Sequence, residues 1–170
     1  MVVVGFSCEE DDTGSPRYGT ASAVVEGEAS SMRVEQASES LCLEQRVHIA
    51  MSVYDPVRLY TNSISLANVP LIPGEYSAQA VLDSDDSCED IMAAGLYMLV
   101  ADGDAIADVY EVIKGDESLI TVTSYDAGRK ELRGTFQLSF TFRQLRDRQK
   151  ITTAPDTVHF TQGEFQVFVE

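Results

Sequence analysis

Alternation with a period of two constrains this chain more than any other feature. Val47, Ile49, Met51 and Val53 interleave with Arg46, His48, Ala50 and Ser52. Leu132, Gly134, Phe136, Leu138, Phe140 and Phe142 share one parity, and Arg133, Thr135, Gln137, Ser139, Thr141 and Arg143 hold the other. Val158 and Phe160 alternate with Thr157, His159 and Thr161, and Phe165, Val167 and Val169 resume the pattern. Successive side chains of an extended strand point to opposite faces, so each run buries one face and wets the other, which is the antiparallel habit.

Breaks between the runs carry turn residues. Tyr125-Asp126-Ala127-Gly128-Arg129-Lys130 predicts a hairpin loop, and Gln162-Gly163 predicts the last hairpin, with Gly128 and Gly163 supplying positive φ. Asp102-Gly103-Asp104 separates two runs, and Pro70, Pro73 and Gly74 interrupt the chain before Tyr76. Helical character has one foothold, residues 89–99. Gly95, Leu96 and Tyr97 follow the acidic start there, so a turn or short helix is expected at most. The predicted fold is all-β, an antiparallel β-sandwich or partly closed β-barrel of about ten strands. Gly134, inside a strand run, predicts a bulge or a close backbone approach.

Charge narrows the partners. The chain has 170 residues, with 28 acids against 12 bases and a net charge of -16. Phosphate backbones and anionic lipid surfaces are repelled by that balance, so no nucleic acid partner is expected. With no Trp and 8% aromatic residues, a broad stacking platform is disfavoured.

The first residues, Met1-Val2-Val3-Val4-Gly5-Phe6-Ser7-Cys8, are followed by Glu9, Glu10, Asp11 and Asp12. They are too few for a transmembrane helix or a complete signal peptide. An apolar run ending in a small residue and then Cys resembles the last part of a bacterial lipoprotein signal, with Cys8 as the lipidated residue. The acids after it resemble the surface-export signal of Bacteroidota lipoproteins. The expected organisation is a signal remnant over 1–7, an acidic flexible tether over 8–17 and a single β domain over 18–170. Three cysteines are present. If Cys8 carries lipid, Cys42 and Cys88 remain, either as a disulfide or as two free thiols. A disulfide would close a loop of about 46 residues and contribute ~4 kcal/mol.

A second resemblance lies in the C-terminal two thirds. Leu119-Ile120-Thr121-Val122-Thr123-Ser124-Tyr125-Asp126, then Leu132-Arg133-Gly134-Thr135-Phe136, then Val158-His159-Phe160-Thr161-Gln162-Gly163-Glu164-Phe165 is similar to a recurring order of strand motifs in uncharacterised Bacteroidota lipoproteins with all-β domains. Val69-Pro70-Leu71 and Pro73-Gly74-Glu75-Tyr76 resemble that group's middle strand and turn. The resemblance implies fold and location and assigns no catalytic residue.

Chemistry-bearing clusters are sparse. His48 and His159 fall on polar strand faces without convergent partners, so exposed strand histidines are expected. Asp83, Asp85, Asp86 and Glu89 are a weak calcium candidate, because the Gly that a D-x-D-x-D-G loop needs is absent; a solvated acidic loop is the stronger reading, and no metal or cofactor is expected. G-x-S-x-G, P-loop and G-x-G-x-x-G motifs are missing. Arg143, Arg146, Arg148 and Lys150 gather in 143–153, read as an exposed loop or hairpin tip that could dock an acidic partner. The leading expectation is an outer-membrane or cell-surface lipoprotein, held in the membrane by an N-terminal lipid, that binds a glycan, peptide or partner protein without catalysis. An envelope assembly accessory and, more remotely, a carboxylate hydrolase are the alternatives.

Overall fold

The structure is a computed structural model that describes residues 18–40, 44–55, 60–80, 93–101, 105–113, 115, 118–144 and 149–170. Eleven strands follow one another: β1 (Gly19–Val25), β2 (Glu28–Glu39), β3 (Arg46–Asp55), β4 (Tyr60–Pro70), β5 (Gly74–Ser77), β6 (Gln79–Ala80), β7 (Ala94–Ala101), β8 (Ala105–Val112), β9 (Leu119–Asp126), β10 (Glu131–Arg143) and β11 (Thr157–Phe168). Of the stretch 89–99 where a turn or short helix was expected, 89–92 lie outside the described residues and 94–99 belong to strand β7: Tyr97 and Leu99 bury into the core and so override the acidic start.

Eight of the strands close a ring. Antiparallel ladders run β1-β2-β3-β4-β7-β8-β10-β11, and β11 returns to β1. Closure leaves β11 paired on both edges and removes the open sheet edges a flat sheet would expose. The fold is therefore an antiparallel β-barrel with three extra strands. β10 is the seam where they attach. On one edge it pairs with β11 along nearly its whole length. Its other edge pairs with β8 over Phe140, Thr141, Phe142 and Arg143, and with β9 over 131–137. β5 continues the sheet outward from β9, and after Ala78 the chain turns to pair β6 in parallel with the start of β7. The two excursions of this up-and-down barrel thus support each other.

The apolar parity of each run points inward. Val47, Ile49, Met51, Leu132, Leu138 and Phe140 are fully buried. Tyr97, Tyr110, Phe140, Phe142 and Phe160 form a continuous aromatic cluster with neighbouring ring centroids 5.2–5.8 Å apart. These separations favour tilted and edge-to-face packing, which adds to the area term for large rings. Side chains fill this part of the barrel.

The expected last hairpin is instead one bulged strand. Phe160 and Phe165 are five residues apart, so both cannot point inward along a regular strand. β11 solves this at Thr161-Gln162-Gly163. Its register slips against both β10 and β1, and Gln162 takes the left-handed conformation at φ 50. Gly163 was expected at positive φ but is extended, and its role is close approach: a Cβ there would lie 2.6 Å from the Phe136 ring. The Asp126 turn also differs in detail. Asp126 Oδ1 accepts the amides of Gly128 and Arg129 at 2.9 and 3.1 Å, and the positive φ falls on Lys130.

Gly134 meets both parts of its expectation. The β9–β10 register slips beside it, and a Cβ would lie 2.4 Å from both the Phe165 ring and the Thr121 carbonyl oxygen.

Candidate functional site

The register of the ladders places two polar rows on the outer face, each crossing five strands. One runs Thr121, Thr135, Glu164, Ser22, Ser31 from β9 to β2. The other runs Ser124, Arg133, Gln166, Thr20, Arg33. Thr135, Glu164, Ser22 and Ser31 of the first row and Arg133, Gln166 and Thr20 of the second line a trough of about 480 Å³ that also takes in Thr123. Four strand spacings of ~4.8 Å make it ~19 Å across. Its apolar lining, Ala21, Met32 and Phe165, belongs to the inward parity and is buried.

Local structure fixes the trough's shape. Thr123 is the extra residue of a bulge in β9: Ser124 pairs with Arg133 and Val122 with Gly134. The Thr123 hydroxyl donates to the Arg133 carbonyl at 3.0 Å, and bulges commonly re-aim a side chain in this way. Glu131, almost wholly buried, accepts from Arg133 Nε at 2.6 Å and from Gln166 Nε2 at 2.7 Å. One carboxylate therefore orients Arg133 and Gln166 and neutralises the Arg133 guanidinium. Glu164 lies across from Thr135 and Ser22 with its carboxylate in no ion pair among the described residues.

The described part of the return from β10 to β11 packs onto Asp108 and Tyr110 of β8. Asp108 points in from β8 and accepts from the amides of Ile151 and Thr152 at 2.9 and 2.8 Å and from the Thr152 hydroxyl. Tyr110 donates to the Pro155 carbonyl at 3.1 Å, and Lys150 lies over the Tyr110 and Phe142 rings. Burial pushes the Asp108 carboxyl up, but those three donors and the Lys150 charge outweigh it and hold it below the usual carboxylate value. Part of 143–153 is therefore a strap, with Thr152 buried, and not a free hairpin tip.

The two described basic residues of that segment are held internally. Arg143 Nη1 lies 3.0 Å from Glu111, and Lys150 Nζ lies 2.7 Å from Asp156. Arg146 and Arg148 lie outside the described residues, as do Cys8, Cys42, Cys88, Asp83, Asp85, Asp86 and Glu89. Among the described residues, no group of three or more His, Cys, Asp or Glu is placed to hold a metal ion. His48 is half-buried, and desolvation lowers its pKa. His159 is exposed, with Nδ1 2.9 Å from the buried Ser139 hydroxyl; its amide donates to Glu26 at 2.6 Å.

Half of the trough was visible as the polar parity of 131–143, which already held Arg133 and Thr135. Missing was the register that sets β11, β1 and β2 beside it. Asp108 shares the buried parity of Tyr110 and Val112, and a carboxylate at such a position is the one sequence signal of the strap.

Comparison with family models, with curated proteins and with solved structures finds no match for this chain.

Proposed function

We propose that this domain is a non-enzymatic binding module of the cell surface or outer membrane, anchored through lipid on Cys8, that takes its ligand on the outer trough. The observation that carries this reading is the trough itself, two aligned polar rows on an outer sheet face, beside a barrel core filled by aromatic side chains. Position supports it as well. Thr20 lines the trough, and the Tyr18 carbonyl accepts the Phe168 amide at 2.9 Å, so the first described residues lie beside that face. Ten tether residues can extend ~33 Å, which leaves the trough free to reach ligand near a membrane.

Among the described residues of the trough lining Glu164 is the one acid, whereas the carboxylate hydrolysis of the alternative reading uses a pair. Docking of an acidic partner by the basic segment is the weaker reading, because Arg143 and Lys150 already have carboxylate partners.

Two measurements on cells test the proposal. Labelling with a fatty-acid analogue and protease treatment of intact cells should mark the wild type as lipidated and surface-exposed, and Cys8→Ala should lose both. The immobilised domain should also retain polysaccharide or protein separated from the envelope. A label that persists in Cys8→Ala, or a domain that retains neither fraction, contradicts the reading.

A further inference from the structure

We propose that the ligand of the trough is a neutral glycan, with Glu164 accepting hydrogen bonds from sugar hydroxyls and Arg133 and Gln166 donating from the neighbouring row. This rests on the trough being the binding face. Three observations select the ligand class.

The first is charge. Arg133 is neutralised by Glu131 at 2.6 Å, and the chain as a whole carries -16. Among the described lining residues an anionic ligand finds no uncompensated cation, Arg33 of the same row lying outside the lining and 3.7 Å from Glu35, and it is repelled at long range. A cationic ligand would be drawn to this molecule but finds only Glu164 to fix it in place.

The second is the balance of donors and acceptors. Glu164 only accepts, Arg133 only donates, and Thr20, Ser22, Ser31 and Thr135 do both. A sugar hydroxyl is likewise donor and acceptor at once. A lining of one kind would leave half of a sugar's hydrogen-bonding capacity unmatched, and unmatched polar groups lose affinity. A mixture of kinds across the two rows suits a chain that offers hydroxyls on both of its edges.

The third is what the trough lacks. β10, β11 and β1 are paired on both edges where they cross it, so an extended peptide has no backbone edge to join along the middle three strands of the trough. Its apolar residues are buried beneath the face, which leaves no pocket for the aromatic or aliphatic anchors that dominate protein interfaces. The described lining itself holds no outward ring, and Phe168, exposed on the same face of β11 two residues beyond Gln166, lies outside it. Recognition within the trough therefore depends on hydrogen bonds, and Glu164 is the exposed lining group with the most unused accepting capacity.

The test is chemical-shift mapping on the full 170-residue chain. Probes are cello-, malto-, xylo- and manno-oligosaccharides, an oligogalacturonate as the acidic counterpart, and a mixed-sequence peptide pool. Saturable shifts at Thr20, Ser22, Thr135 and Glu164 are expected with at least one neutral oligosaccharide. Glu164→Ala should weaken that binding roughly tenfold or more. Glu164→Gln, which keeps one acceptor oxygen, should weaken it less. Trough shifts with the oligogalacturonate or the peptides alone overturn the neutral-glycan inference and leave the trough standing as a binding face. Shifts with none of the probes contradict both. Neutral binding that survives Glu164→Ala unchanged overturns the role given to that carboxylate.

Discussion

The Ser118 hydroxyl accepts the amide hydrogen of Ser139 at 3.1 Å and donates back to the same residue's carbonyl at 3.5 Å. Both residues are buried. Ser139 marks the point where β10 exchanges β9 for β8, and its carbonyl also accepts the Ile113 amide at 2.7 Å. At such a fork a strand loses its ladder partner for one residue, and a buried backbone group left there would go unpaired. One side chain closes that gap.

Ser118→Ala should therefore leave the Ser139 amide buried without a partner. The expected cost is about 1–3 kcal/mol, read as a shift of the urea midpoint at constant slope. A loss under ~0.5 kcal/mol would mean that the fork does not depend on this hydroxyl.

Gly134 offers a sharper test, because its neighbours differ in how they can yield. The Phe165 ring can rotate away from a new Cβ, but the Thr121 carbonyl belongs to a paired strand. Gly134→Ala should lower the melting temperature, with overpacking of this kind costing about 1–3 kcal/mol or more. Adding Phe165→Leu should recover only part of the loss. Full recovery would show that the ring alone set the constraint.

Acid should loosen the strap. Asp108 is held below its ordinary value, so its stabilisation is complete above the unfolded carboxyl pKa and is lost as pH falls through the lowered folded value. The window lies below about pH 4. Other carboxylates titrate nearby, so the readout is the difference between wild type and Asp108→Asn. That gap, from thermal melts, should be widest near neutrality and shrink as pH falls toward 3. A gap independent of pH would detach the strap from the ionisation of Asp108.

Residues 131–143 show what was legible in sequence. Their parity separates Leu132, Phe136, Leu138 and Phe140 from Arg133 and Thr135 without ambiguity, and burial follows it. Gly134 could be read as a close approach because a strand interior otherwise disfavours glycine. Gln162-Gly163 could not be resolved from sequence. A hairpin and a bulge both use a glycine and both shift parity by one, and long-range pairing of β11 with β10 and β1 selects the bulge. The trough lay beyond reach for the same reason. Thr135, Glu164 and Ser22 are neighbours only through register, which depends on where the barrel closes. Sequence separation hid the strap as well, since Asp108 and Thr152 lie 44 positions apart.

The most direct measurement of the central claim, that recognition occurs on the outer trough and not at the strapped end, compares two exposed-site variants for affinity toward retained envelope material. Thr135→Arg places a long side chain in the trough beside Glu164, and Ile151→Ser alters the exposed surface of the strap. The account predicts binding weakened roughly tenfold or more by Thr135→Arg, about 1.4 kcal/mol, and unchanged by Ile151→Ser, with both variants melting as wild type does. Binding that survives Thr135→Arg and falls with Ile151→Ser would contradict it.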